Sequence, residues 1–234
     1  MEASVKQYHI PTTGRLLVEV CCGCAEAALD AFRKGARRIE LCDDLSCGGI
    51  TPSRKDILRC ISASNSAVVH VLVRPRAGDF IYNEEEIAKM LSDIEFCASA
   101  GAEGVVIGAL TPDGRVDMDA CSRLIDFAHS LHLSVTFHRA IDSSRDPLEA
   151  LEDIITLGAE RVLTSGGAPS APEGLPVIIK MLQLSQGRIT IMPGAGITPS
   201  NAPAVISALR SSLPPGAPIE IHGSCIGLLG IQAT

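Results

Sequence analysis

The sequence predicts an α/β chain built as one (β/α)8 barrel, and three observations carry that expectation. Eight short apolar, β-branched runs recur along the chain. They begin about 30 residues apart, the length of one strand–helix unit. Composition agrees: 46% of the residues are hydrophobic but only 3% aromatic, with no Trp, so the core must come from Val, Ile, Leu and Ala. Such side chains suit parallel strands covered by helices. A length of 234 residues accommodates eight units in a single domain, 1–234.

The first run, Leu16–Cys21, follows an N-terminal extension at 1–14. After it come Arg38–Cys42, Ala67–Arg74, Gly104–Gly108 and Leu133–His138, then Arg161–Ser165, Arg188–Met192 and Pro218–His222. A faint repeat marks three junctions: KGARRIEL, AGAEGVVIGA and LGAERVLTS each read as helix end, Gly-Ala, strand. Gly35, Gly101 and Gly158 suit the left-handed position that closes a helix before a short turn. A doubly wound open sheet is disfavoured, because the first turn, VEVCCGCAEA, lacks a GxGxxG phosphate fingerprint. The last strand is followed only by GSCIGLLGIQAT, so the final helix is expected to be short or missing and 225–234 to form an apolar tail. An uncovered strand of this kind favours a homo-oligomer.

Charge and hydropathy exclude two partner classes. With 20 basic and 27 acidic residues the net charge is −7, the wrong sign for a nucleic-acid coat. No stretch approaches the ~18 uninterrupted apolar residues of a membrane span. The opening MEASVKQYHIPTTGR has no apolar run or cleavage site, so a cytoplasmic location is expected. The nine cysteines are then expected as reduced thiols.

Strand alternation sorts the chemistry, since residues two apart share a face. Glu19 and Cys21 oppose Val18 and Val20; Glu40 and Cys42 oppose Ile39 and Leu41. His70, Leu72 and Arg74 oppose three valines, Thr136 and His138 oppose Val135 and Phe137, and Glu220 and His222 oppose two isoleucines. The polar set is expected inside the barrel, at the carboxyl ends of the strands where barrel active sites lie. A purely structural reading is an internal ion-pair network in which Arg74, His138 and His222 satisfy Glu19, Glu40 and Glu220. A ligand site is the alternative, with Arg76, Arg139, Asp142, Ser165 and Ser224 as further members.

Cys21 and Cys42 fall at equivalent ends of neighbouring strands, which run about 4.8 Å apart. Two thiols at that separation can hold one soft ion, Cu(I) or Zn(II). Cys24 and Cys47 are weaker candidates, while Cys60, Cys97 and Cys121 fall in helical segments and read as core packing. A separate signal concerns anions. The seventh strand runs into MPGAGI at 192–197 and then TPSN opens a helix. Gly194 and Gly196 permit close backbone approach, and a helix N-terminus presents free N–H groups. Arg74 and Arg76 are further candidates to hold a carboxylate or phosphate.

Several stretches together resemble the CutC family of copper homeostasis proteins. They are VEVC at 18–21, ARRIELCDDLSCGGITPS at 36–53, VRPRAGDFIY at 73–82 and GVVIGALTPDGRVD at 104–117. TFHRAID at 136–142, ERVLTSGG at 160–167 and GRITIMPGAGIT at 187–198 continue the likeness in order. The resemblance implies a TIM-type barrel concerned with intracellular copper, with Cys21 and Cys42 matching cysteines described as binding Cu(I). Arg74, Arg76, His138, Arg139 and Asp142 match the family's polar cluster, for which it supplies no agreed catalytic role. The sequence departs from the pattern at Cys22-Gly23-Cys24, which adds thiols, and after His222, where the family's Ser-Ala-Arg-like continuation is absent.

Three functions follow as expectations. The first is Cu(I) handling through Cys21 and Cys42. The second is an enzyme acting on a small anionic substrate, with His138 or His222 as acid or base, Glu19 or Glu40 as partner, and Arg74 and Arg76 positioning the anion. The third is a scaffold with a fully satisfied interior.

Overall fold

The computed structural model describes residues 16–224 and 226–231. Strand and helix alternate through β1 Leu16–Cys22, α1 Ala25–Arg33, β2 Arg38–Leu41, α2 Arg54–Ala63, β3 Val68–Leu72 and α3 Glu84–Ala100. There follow β4 Gly104–Ile107, α4 Met118–Ser130, β5 Ser134–Phe137, α5 Pro147–Leu157 and β6 Arg161–Thr164. The series ends with α6 Leu175–Ser185, β7 Thr190–Pro193, α7 Ala202–Ser212 and β8 Ile219–Gly223. Short 3-10 turns occupy Leu45–Cys47, Arg139–Ser143 and Ile226–Gly230. The expected extension at 1–14 lies outside the described residues. None of the described helices is long and apolar enough to cross a membrane.

Local chemistry sets the helix ends. Ser53, Asn83, Asp117 and Asp146 accept backbone N–H bonds at the starts of α2, α3, α4 and α5, and Glu86 completes a capping box on α3. Gly101 and Gly158 close α3 and α5 at φ 95° and 84°, where a side chain would be strained. Gly35 adopts φ 86° after α1, so all three Gly-Ala junctions turn as the repeat predicts.

The strands pair in parallel in the order β7-β6-β5-β4-β3-β2-β1-β8. The barrel is nearly closed: no ladder joins β7 to β8 among the described residues, yet the two lie side by side. A Cβ on Gly194, just after β7, would stand 3.3 Å from the Cβ of His222 in β8. The outward set, including Ile39, Val69, Val71, Val105, Val135 and Phe137, packs against the helices in one continuous core. The inward set is polar and buried: Glu19, Arg38, Glu40, His70, Arg161, Glu220 and His222 are all less than 9% exposed. Register aligns these groups, with Glu19 opposite both Arg38 and His222, and Glu40 opposite His70. Five strands stop earlier than the sequence suggests, so Cys42, Arg74, Gly108, His138 and Ser165 stand just past the ends of β2, β3, β4, β5 and β6.

An eighth α-helix is absent among the described residues; the turn at Ile226–Gly230 takes its place. Leu228 is fully buried in the main core. A Cβ on Gly223 would lie 2.5 Å from Leu228 Cδ1, so the bare backbone of β8 is what lets the turn fold over it. Ile226, Leu229 and Ile231 pack against the same core, while 225 and 232–234 of the expected tail lie outside the described residues. Leu228→Ala is expected to lower stability by about 2–5 kcal/mol, as for other buried leucines. Urea unfolding checks this: the midpoint should fall with an unchanged slope.

Candidate functional site

The floor of the site is a charge network centred on Arg38. Its Nε lies 2.7 Å from Glu19 Oε2 and its Nη2 donates to Glu220 Oε2. Arg161 Nε donates to the same Glu220 oxygen at 3.1 Å. His70 Nδ1 stands 3.2 Å from Glu19 Oε2, and His222 Nδ1 donates to Glu19 Oε1 at 2.9 Å. His222 Nε2 then faces Glu40 Oε2 at 3.3 Å.

These contacts correct the pairing expected from sequence. Arg74 and His138 do not neutralise the interior glutamates; Arg38 and Arg161 join His222 in doing so, while His70, its pKa lowered by burial, only faces Glu19 within hydrogen-bond distance. The reason is position, because Arg74 and His138 follow their strands and belong to the mouth. The alternation did carry a signal for the missed groups, since Arg38 shares a face with Glu40, and Arg161 with Leu163.

The network sets the protonation states. Burial opposes ionisation of Glu19, but Arg38 and the bonds from His222 and His70 hold its carboxyl well below the usual range. Glu220 is likewise lowered, with Arg38 and Arg161 outweighing burial. Burial disfavours the His222 imidazolium, yet Glu19 and Glu40 more than compensate and raise its pKa. Burial pushes Glu40 up to about 7, with the Glu19 charge acting in the same sense and His222 against it.

Above this floor, Cys21 near the end of β1 and Cys42 after β2 bring their sulfurs to 3.8 Å. Cys21 is held as a thiol well above its ordinary value by the bond with Cys42, then by burial and Glu40. Sγ of Cys21, one Glu40 oxygen and one His222 nitrogen lie within 4.8 Å of one another, a set that can hold a metal ion. Cys47 lines the rim, but Cys24 is exposed at the start of α1 and away from the cavity. Cys60, Cys97 and Cys121 are buried in helices, and burial pushes each thiol up to about 12. Packing explains them.

A cavity of about 570 Å³ opens over the sulfur pair, also walled by Arg74, Phe80, His138 and the loop at 195–198. Among the anticipated anion residues, Arg139, Asp142, Gly196 and Ser224 line it. Arg139 is already engaged, donating to Asp142 at 2.8 Å and to Ser165 at 3.2 Å. Asp142 in turn accepts from Thr164 Oγ1 and from the N–H groups of Ser165 and Gly167. Ser165 is fully buried behind this loop. Arg76 lies off the cavity, bound to Glu86 and Asp79. Gly194 sits in the seam against His222, and α7 begins only at Ala202, so its N-terminus is not brought to the cavity.

His138 is fixed in one neutral form. Its Nδ1 accepts the Ala140 N–H at 3.2 Å, which leaves the proton on Nε2. Burial, then the Arg74 charge, depresses its pKa to about 3. Nε2 is buried and has no partner among the described residues, a condition that costs about 1–3 kcal/mol for an orphaned donor. Arg74 and Phe80 complete this wall, and sequence reasoning missed the aromatic ring. Arg74 Cζ sits 4.8 Å from its centroid, and the His138 ring 5.0 Å from it.

Comparison with known proteins agrees with this architecture. The model of the CutC family matches residues 16–212. The "Copper homeostasis protein cutC homolog" of Homo sapiens is 48% identical over 190 residues, covering 81% of this chain and 68% of that protein. A CutC family protein of Vibrio atlanticus is 47% identical over 193 residues, 82% of this chain and 78% of its own. The crystal structure of a CutC protein from Streptococcus agalactiae superposes with a TM-score of 0.80 at 27% identity, covering 91% of this chain and all of that one. A phosphonopyruvate hydrolase at 16% identity and TM-score 0.63 shares the fold alone.

Replacing Arg38 tests the floor. Arg38→Met leaves two buried carboxylates without their common cation, and a loss of about 3–5 kcal/mol is expected. Glu19 and Glu220 have folded pKa values below the ordinary 4.5, so their contribution is present above that pH and lost as pH falls through the lower folded values. Without Arg38 both values rise. Urea unfolding should show a deficit of the variant that is largest near neutral pH and narrows as pH falls below about 4.5, where the lowered carboxylates of wild type lose their advantage.

Proposed function

The chain belongs to the CutC family, and from that premise we propose that it binds one cuprous ion between the thiolates of Cys21 and Cys42. The observation that carries the reading is the sulfur pair at 3.8 Å, placed at the carboxyl end of a barrel and facing an open cavity. Cu(I) is a soft cation that prefers thiolate over oxygen donors, and it is satisfied by few ligands. Zn(II) prefers four. The two nearest further donors, Glu40 and His222, are engaged with each other and, through His222, with Glu19.

Binding replaces two thiol protons with one cation, and those protons leave to solvent. The raised pKa of Cys21 keeps it protonated until a cation strong enough to displace the proton arrives. That condition discriminates against weakly thiophilic metals. The floor supplies rigidity, because Glu19 holds His222 and the β1–β2 ladder fixes the spacing of the two cysteine-bearing segments. Reduced thiols of this kind suit the cytoplasm, where the reading places the chain.

Anaerobic titration with Cu(I) against a chromophoric Cu(I) chelator tests the assignment. Wild type is expected to take one equivalent per chain. The double variant Cys21→Ser, Cys42→Ser is expected to lose it, and Cys24→Ser to retain it. Equal Cu(I) uptake by wild type and the double variant would sink the reading, as would tighter binding of Zn(II) than of Cu(I).

A further inference from the structure

We propose that the Arg74–His138 wall of the cavity binds the carboxylate of a small organic acid. Two groups on this wall lack the partner that their chemistry demands. Arg74 is buried, at 5% exposure, yet its guanidinium meets only neutral groups. Nη1 donates to the carbonyls of Cys47 and Gly49 at 3.1 and 2.8 Å, and Nη2 to that of Gly78 at 2.8 Å. The Tyr82 hydroxyl and the Phe80 ring complete its surroundings. No carboxylate pairs with Arg74 among the described residues, whereas Arg38, Arg76, Arg139 and Arg161 each have one. A buried cation without a counter-charge is costly unless an anion visits it.

His138 supplies the second, independent observation. Its Nδ1 is occupied by the Ala140 N–H, so Nε2 offers a hydrogen for which the described residues provide no acceptor. Both side chains line the same cavity. The Phe80 ring lies against both, and its backbone is anchored through the Leu110 N–H to Phe80 carbonyl bond at 2.8 Å.

Charge and donor count select the ligand class. Three of the five guanidinium hydrogens are spent on carbonyls; the buried Nε–H, without a partner among the described residues, and one Nη2–H remain, with a further donor on His138. Two or three donors and a single positive charge match a planar carboxylate. A phosphate dianion brings more charge and more acceptors, and Arg139, also at the mouth, is already neutralised by Asp142. Glu40 and Asp142 on the remaining walls further disfavour a second negative charge. The site adjoins the thiols: Gly49, whose carbonyl accepts from Arg74, would place a Cβ 3.3 Å from Cβ of Cys42. An acid held here therefore extends its other end into the space before Cys21 and Cys42.

Nuclear magnetic resonance of the metal-free full-length chain with 15N-labelled histidine tests this apart from any question of copper. Sodium pyruvate is the probe, and inorganic phosphate is titrated in parallel. Pyruvate is expected to move the His138 Nε2–H resonance saturably, at one equivalent per chain by calorimetry. His138→Leu and Arg74→Lys are each expected to weaken binding by about tenfold or more, one charge-assisted hydrogen bond being worth that much. The wild-type resonance reports whether or not the variants fold. An unmoved His138 signal, undiminished affinity in a folded His138→Leu chain, or tighter binding of phosphate than of pyruvate each overturns the proposal.

Discussion

Arg38 stands between two carboxylates inside the barrel, and the rest of the interior is arranged around that single charge. It holds Glu19 and Glu220 ionised against the burial that would otherwise neutralise them. Once ionised, Glu19 has an oxygen left for His222, and His222 has its other nitrogen left for Glu40. Each side chain is thereby fixed by the one below it. An isolated charge at the same depth would be expelled or protonated; the chain of partners is what keeps a polar barrel interior folded.

The interior thus divides into two zones with opposite character. In the floor, nearly every charge has a counter-charge, which makes it rigid and chemically quiet. At the mouth the balance fails on both sides: two thiols and a carboxyl pushed up to about 7 crowd together on one wall, and an unneutralised guanidinium sits with an orphaned imidazole N–H on the other. Such unbalanced groups concentrate at ligand sites, and the cation and the anion proposed above would complete the first wall and the second. The floor makes this separation possible by fixing the strand ends from which both walls project.

Much of the fold was legible in the sequence because strand alternation and the Gly-Ala junctions act locally. Gly35, Gly101 and Gly158 turn as their neighbours demand, and the valines of β3 face outward as their spacing requires. The candidate site was legible in part. Cys21 and Cys42 could be matched across neighbouring strands by counting residues, and their sulfurs do meet. Partner choice was not legible. Arg74 looked like the natural mate of an interior glutamate, but β3 ends two residues before it and three loop carbonyls capture its guanidinium. Arg38 is readable as an inward side chain because it shares a face with Glu40, but its bond to Glu220 joins strands far apart in the sequence. Arg76 and Arg139 show the same limit, since an arginine near a strand end can turn to whichever carboxylate the loop brings closest.

Sequence by itself determined the barrel, the family, the inward face of each strand and the pair of cysteines at neighbouring strand ends. Periodicity and residue spacing are properties of the chain's local geometry, and they survive without knowledge of what packs against what. Tertiary structure alone decided which ions pair, which histidine nitrogen is left without a partner among the described residues, and that a 3-10 turn carrying Leu228 folds onto β8. Those outcomes depend on differences of one or two ångströms between groups separated by up to 203 positions along the chain. Electrostatic and hydrogen-bond energies change over that length scale, whereas the sequence pattern does not resolve it.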